Sequence, residues 1–275
     1  MTSDYSYSSN EPLLTLSNVC VNYALPILKN VTFQITDLQR PGLTQGQKVA
    51  LLAPSGTGKT QLFKRIAGLE PPSSGEIHVG PKQVPVKPGL VGMVPQNYLL
   101  FDHKTIMQSL QTAAKMREKD SKKATTAILE LLAEFGLEDK QRSYPYELSG
   151  GQRQRVSIAE QLLSSDHFLL MDEPFSGLDI ISKKKVCDTI DRVAARNELN
   201  TIIFSTHDIE SAVMIADHIL ILGRDRDQNN HPIPGAYIKY SIDLIERNLA
   251  WHPDVEHMPN FVDTVKEIKA IFLTL

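Results

Sequence analysis

The sequence predicts an α/β fold: a largely parallel sheet wound with helices and interrupted by a helical insert. Three observations carry this expectation. Short apolar runs recur at Lys48 to Ala53, His167 to Met171, Thr201 to Ser205 and His218 to Leu222, each bounded by polar residues. Helical stretches separate the later runs, the signature of parallel strands joined by crossovers. Between Thr105 and Phe135 the strand signals give way to apolar residues at helical spacing. With 275 residues, 41% hydrophobic and 22% charged, the chain can bury one sizeable core, or a core plus a small subdomain.

Taken in order, Leu14, Leu16, Val19 and Val21 precede Tyr23, and Val31, Phe33 and Ile35 alternate. Both stretches read as strands. Asp37 to Gln47, with Pro41, Gly42 and Gly46, reads as a loop before the buried run that ends at Ala53. Gln61 to Ala67 is helical and stops at Gly68, ahead of Pro71 and Pro72. Thr105 to Lys119 and Ser121 to Phe135 are helical. Ala124, Ile128, Leu131 and Phe135 share one face of the second, and Gly136 is its stop. After a turn at Asp225 to Gly235, two amphipathic helices are expected. One begins near Ser241 with Ile242, Ile245 and Leu249, the other near Asn260 with Phe261, Val265, Ile268 and Phe272.

Composition excludes several classes. Twenty-nine Lys plus Arg against 32 Asp plus Glu give a net charge of −3, and no basic block suits a nucleic-acid backbone. Cys20 and Cys187 are the two cysteines, too few and too far apart for a disulfide framework or a CxxC site, which suits a reducing compartment. Met1 to Pro12 lacks the charged start and apolar stretch of a signal peptide, and no apolar run approaches the roughly 18 residues of a membrane span. The expectation is a soluble protein whose membrane role, if any, comes through a partner. His231, His252 and His257 lack metal-ligand spacing.

Ala53-Pro-Ser-Gly-Thr-Gly-Lys-Thr60 lies between a strand and a helix with the spacing of a phosphate-binding P-loop, Ala53 standing at its first glycine. In such a loop Ser55, Gly56, Thr57 and Gly58 let backbone N–H groups wrap a phosphate chain at a helix N-terminus. Lys59 reaches the β- and γ-phosphates, and the Thr60 hydroxyl ligates Mg2+. Without a ligand the segment is a glycine-rich turn. Phe168 to Glu173 is a buried strand delivering two carboxylates at its C-terminal edge, where open α/β sheets bind ligands. Asp172 is the metal-side carboxylate and Glu173 the one near an attacking water. Leu148-Ser-Gly-Gly-Gln152 opens the helical stretch Arg153 to Leu163, so Ser149, Gly150 and Gly151 form a second anion-binding helix start. By itself that segment is a helix cap.

These motifs, with Val94-Pro-Gln96, Met171-Asp-Glu-Pro174, Ser176-Gly-Leu-Asp179 and Ser205-Thr-His207, occur in the order of the ATP-binding cassette (ABC) ATPases, which the sequence resembles over about residues 13 to 223. The resemblance implies a P-loop NTPase core of the ABC type with an N-terminal antiparallel β subdomain and an inserted α-helical subdomain. Its divisions are 13–96 and 153–223 for the α/β core, 97–152 for the helical signature subdomain, and 224–275 for C-terminal accessory helices. It implies ATP and Mg2+ as cofactors. Tyr23 looks like the aromatic that stacks on adenine, although a half-buried sheet tyrosine reads the same way. Gln96 looks like the residue that senses Mg2+ and links to a membrane partner, and His207 like the switch histidine on the γ-phosphate. Ser149, Gly150, Gly151 and Gln152 look like the signature that closes on ATP held by another subunit, and Asp179 like the residue crossing that dimer.

Departures are expected to matter. Ala53 is tolerable at φ below zero and costly above it. Gln61 stands where the family usually has a hydroxyl residue contacting phosphate, and the loop from Asp37 to Gln47 is longer than usual. The resemblance further implies a head-to-tail homodimer around two nucleotides, integral membrane permease subunits and, indirectly, an external solute-binding protein. Localisation would be cytoplasmic, peripheral on the inner face of the membrane, and the function ATP hydrolysis driving uptake of a small solute, in the manner of nitrate or sulfonate importers. A soluble, non-transport ATPase acting on a macromolecular assembly is the alternative, and a regulatory ATP-binding module without turnover a third. A GTPase is disfavoured because no Asn-Lys-x-Asp segment is present.

Overall fold

The computed structural model describes residues 8–39, 46–165, 168–197, 200–252 and 254–275. Ser8–Asn22 (β1) and Pro26–Gln39 (β2) form a long antiparallel hairpin, and Ser74–Val79 (β4) and Val84–Pro85 (β5) extend it into a four-stranded antiparallel sheet ordered β2-β1-β4-β5. Gln47–Leu52 (β3) enters a second, six-stranded sheet ordered β10-β9-β3-β8-β7-β6. Its strands Gly92–Val94 (β6), Phe168–Asp172 (β7), Thr201–Thr206 (β8) and His218–Gly223 (β9) are parallel to β3, while Tyr237–Asp243 (β10) pairs antiparallel with β9. Residues 40–45 of the expected 37–47 loop and His167 lie outside the described residues. Gln39 still belongs to β2 and Gln47 already to β3.

Both faces of the parallel sheet are covered, so its strands alternate between two cores instead of between core and water. Val49, Leu51 and Ala53 face the antiparallel sheet and the helix Lys59–Ile66 (α1), together with Phe168, Leu170, Ile203, Leu220 and Leu222. Ala50, Leu52, Leu169, Met171, Ile202 and Phe204 face the remaining helices. This two-sided burial is why β3 and β8 read as unbroken apolar runs.

The helical insert contains Ile106–Ala114 (α2) and Ser121–Glu134 (α3), followed by Gly150–Ser164 (α4). Thr105 closes a capping box on α2, and Asp120 caps α3 through Lys122 N. Ala124, Ile128 and Leu131 of α3 are buried as their spacing requires. Ile180–Ala195 (α5) and Ile209–Ile215 (α6) are crossover helices, and Pro259–Phe272 (α7) packs on α6. Among the described residues no helix is long and apolar enough to cross a membrane.

The segment after residue 223 corrects one expectation. No helix begins near Ser241: Tyr237–Asp243 is strand β10, and Ile245 and Leu249 fall in the turns behind it. Thus 224–275 is a strand, a 3-10 turn at Val255–His257 and one long helix, rather than a pair of helices. The segment is sewn to the core. The Leu244 N–H donates to the Asp217 carbonyl, and the Asp217 carboxylate accepts from Lys48 N at 2.8 Å. Burial pushes the Asp217 carboxyl up to about 6 against the opposing pull of Lys48.

Candidate functional site

The parallel strands β3, β7 and β8 end side by side, with Leu52 paired to Thr206 and Asp172 to Ser205, so the loops leaving them share one edge of the sheet. At that edge the chain turns sharply from β3 into α1. Gly56 and Gly58 adopt φ of 75° and 112°, where a β-carbon is strained, whereas Ala53 is not among the positive-φ residues. The exchange of glycine for alanine at position 53 is therefore accommodated. Among the described residues, the N–H groups of residues 55–61 have no backbone acceptor, and the first helical bond runs from Leu62 N to the Gly58 carbonyl. Seven such donors around one turn at a helix N-terminus form a cradle for an anion.

Lys59 lies in this cradle with its side chain 7% exposed. Its ammonium donates to the Ala53 carbonyl at 2.8 Å and pairs with Glu173 Oε1 at 3.0 Å. The Thr60 hydroxyl donates to Asp172 Oδ2 at 2.6 Å, and Ser205 Oγ donates to Asp172 Oδ1 at 2.5 Å. Glu173 Oε2 stands 2.9 Å from His207 Nδ1, and its side chain is 12% exposed against 55% for the imidazole. The Glu173 backbone sits at φ 50°, a left-handed conformation costing about 1 kcal/mol for a residue with a side chain. Its N–H donates to both the carbonyl and the hydroxyl of Ser205, at 3.0 and 3.1 Å, which holds that turn. Sequence reasoning placed Ser205 only as the start of Ser-Thr-His207. Its double duty to Asp172 and Glu173 depends on a neighbouring strand.

Thr60, Asp172 and the anion cradle fit MgATP. Among the described residues no cluster of three His, Cys, Asp or Glu side chains could hold a metal alone. One hydroxyl and one carboxylate beside a phosphate-sized cradle are the donors of a Mg2+ that shares its coordination with phosphates.

Tyr23, 60% exposed, stands beside α1. Its hydroxyl donates to Gln61 Oε1 at 3.0 Å and accepts from Arg65 Nη2 at 3.1 Å. The Gln61 side-chain oxygen thus bonds to Tyr23 and Arg65, while its backbone N–H is one of the cradle donors. Gln96 follows β6 and donates to Ser176 Oγ at 3.2 Å, and no hydrogen bond among the described residues joins it to Thr60 or Asp172. The nearby Pro174 carbonyl accepts from Tyr98 OH and from Gln154 of α4, both at 3.3 Å, tying the helical insert to the acidic strand end. Arg224, just past β9, donates to the Gly56 carbonyl at 2.8 Å, a contact no sequence motif signals.

The remaining candidates lie apart. Ser149 caps α4 by accepting from Gln152 N at 3.3 Å, and Gln152 Oε1 accepts from Ser149 N at 2.9 Å, so the Gln152 amide is committed to its own helix. A β-carbon built on Gly150 meets nothing within 4 Å. Asp179 caps α5 through Ser182 N and Oγ, contacts that hold its carboxyl below the usual range. No hydrogen bond or ion pair among the described residues joins Ser149, Gly150, Gly151, Gln152 or Asp179 to the phosphate cradle.

The chain matches the family model described as ABC transporter over residues 39–176. It is 36% identical over 202 residues to the sulfate/thiosulfate import ATP-binding protein CysA of Synechocystis sp., covering 72% of this chain and 54% of that one. To the CysA protein of Brucella melitensis it is 33% identical over 262 residues, covering 86% and 70% of the two chains. To the aliphatic sulfonates import ATP-binding protein SsuB 3 of Rhodococcus jostii it is 38% identical over 180 residues, covering 66% and 62%. Among solved structures, cbiO1 from Clostridium perfringens, part of the ABC transporter complex cbiONQ, is similar with a TM-score of 0.70 at 23% identity, over 86% of this chain and 90% of that one. The dimeric ATP-binding cassette MJ0796 bound to ADP and Pi is similar at 0.66 and 23%, over 84% and 99%. The shared fold is that of an ABC ATPase cassette.

Proposed function

This chain belongs to the ABC transporter family, and on that premise we propose that it is the ATP-binding and ATP-hydrolysing subunit that energises uptake of a small solute through partner membrane subunits. One observation supports the chemistry above others: Lys59, Thr60, Asp172, Glu173 and His207, from three separate segments, converge at one sheet edge around an anion cradle. The names of the similar proteins, importers of sulfate, thiosulfate and sulfonates, favour import of a small anion over action on a macromolecular assembly.

In this reading the N–H groups of residues 55–61 and the Lys59 ammonium bind the phosphate chain, while Thr60 and Asp172 hold Mg2+ with Ser205 fixing the carboxylate. Mg2+ supplies charge neutralisation on the transferring phosphoryl group. Glu173 accepts a proton from water, and His207 orients Glu173 and carries a donor toward the γ-phosphate. Lys59 now neutralises Glu173, so a phosphate chain competes with that carboxylate for the ammonium and leaves it available to water. Tyr23 offers an exposed ring to the base. Gln96, near the exposed Leu99 and Phe101, faces a permease subunit, and such subunits place the chain at the cytoplasmic face of a membrane. Ser149, Gly150, Gly151, Gln152 and Asp179 of one copy complete the site of a second, head to tail.

Steady-state phosphate release tests the assignment. Glu173→Gln is expected to retain MgATP binding and to lose turnover by about 100-fold or more. A rate matching that of the unaltered protein would remove Glu173 from the water-activating role.

A further inference from the structure

Tyr23 reaches across from the end of the β1–β2 hairpin and is hydrogen-bonded through its hydroxyl. Gln61 Oε1 accepts its proton at 3.0 Å, Arg65 Nη2 donates to it at 3.1 Å, and Glu70 Oε2 lies 3.5 Å away. These partners brace one another. Arg65, 5% exposed, also donates to Gln61 Oε1 and pairs with Glu70 at 2.8 Å, and Lys64 pairs with Glu70 at 2.9 Å. The Arg65 guanidinium carbon lies 5.9 Å from the Tyr23 ring centroid. The ring nonetheless remains 60% exposed, so the network consumes the polar tip and leaves aromatic surface open.

Three features make this more than a surface cluster. Gln61 and Arg65 are one turn apart on α1, the helix whose first turn contributes the anion cradle, so tyrosine and cradle share one rigid support. A free exposed tyrosine samples several rotamers, whereas one with its hydroxyl held has most of that entropy removed before a ligand stacks on it. Gln61 makes the grip with its side-chain oxygen while its backbone N–H remains among the cradle donors.

We infer that Gln61, Arg65 and Glu70 are positioning residues that pre-set the Tyr23 ring as a base-stacking platform. The inference rests on the reading of Tyr23 as the base-stacking residue. Removing the hydroxyl keeps the ring and frees it, which separates holding from stacking.

The experiment titrates the full chain with MgATP, and with inorganic tripolyphosphate plus Mg2+ in competition against ATP, for the unaltered protein, Tyr23→Phe, Tyr23→Ala and Gln61→Ala, with thermal unfolding measured alongside. Tyr23→Phe and Gln61→Ala are each expected to weaken ATP by about 3- to 10-fold, the scale of one or two hydrogen bonds, and to leave tripolyphosphate affinity and the unfolding temperature unchanged. Combining them should add little, because both release the same ring. Unchanged ATP affinity in both variants, or a parallel loss of tripolyphosphate affinity, overturns the inference. Tyr23→Ala tests the underlying reading: if it keeps the ratio of the two affinities, Tyr23 does not stack on the base at all. If it lowers that ratio while Tyr23→Phe and Gln61→Ala do not, stacking stands and the positioning role falls.

Discussion

The loop that follows β3 and the start of α4 are both glycine-rich helix beginnings, yet they differ in what surrounds them. Around the first, Lys59, Asp172, Glu173, Ser205 and His207 are brought together from remote parts of the chain and satisfy one another within about 3 Å. Around the second, the side chains of Ser149 and Gln152 bond, among the described residues, to each other's backbone, and a β-carbon on Gly150 meets nothing within 4 Å. The absent side chain at position 150 is not demanded by packing among the described residues. One helix start is surrounded by partners from remote segments, and the other, in the reading proposed above, is half of a site completed by a second copy.

Removing the central cation breaks the comparison on its stronger side. Lys59→Ala is expected to abolish MgATP binding, with a loss of about 100-fold or more, because the ammonium is the buried charge facing the cradle. Unchanged affinity by titration would undo the contrast. On the other side, Ser149→Arg should leave ATP binding to the isolated chain within about 2-fold, since Ser149 touches only its own helix. Placed in the Glu173→Gln background it should prevent ATP-dependent dimerisation. Sedimentation showing an undiminished dimer would mean that the start of α4 is not an interface.

A smaller effect sharpens the contrast along α4 itself. Its first turn is exposed, but Glu160 further on is buried against α2, and burial pushes its carboxyl up to about 7 although Ser109 and Lys104 pull the other way. With the folded-state pKa above the unfolded one, the native protein holds the proton more tightly, and stability falls as pH rises from about 4.5 to about 7. Glu160→Gln should therefore match the unaltered protein near pH 4 and exceed it by about 1–3 kcal/mol at pH 8, measured by urea unfolding. An equal difference at both pH values would show that the ionisation of Glu160 is not the cause.

The legible parts of the molecule were those fixed by local pattern. Strands β3, β7, β8 and β9 announce themselves because both faces are buried, and the phosphate loop because its spacing is a local geometric demand. Strand β4 was not legible: only Ile77 and Val79 of its six residues are buried. Ser241 was misread because Ile242, Ile245 and Leu249 match helical spacing, while the outcome was decided by the free edge of β9, which pairs Ser241 with Leu220 and Ile242 with Ile219. Sequence order alone could not show Lys59 resting on Glu173, Ser205 holding the turn at Glu173, or Gln61 turning to Tyr23, because each contact joins segments that only the fold brings together.

The bond from Arg224 to the Gly56 carbonyl changes where this catalytic module ends. Since C=O and N–H of a trans peptide point in opposite directions, fixing the Gly56 carbonyl also fixes which way the Thr57 N–H is turned. Lys239 of β10 in turn donates to the Arg224 carbonyl at 3.3 Å and pairs with Asp225 at the same distance. The hairpin beyond β9 is thus a splint for the phosphate loop, and a chain cut or spliced at Gly223 would lose the splint while every recognised motif remained.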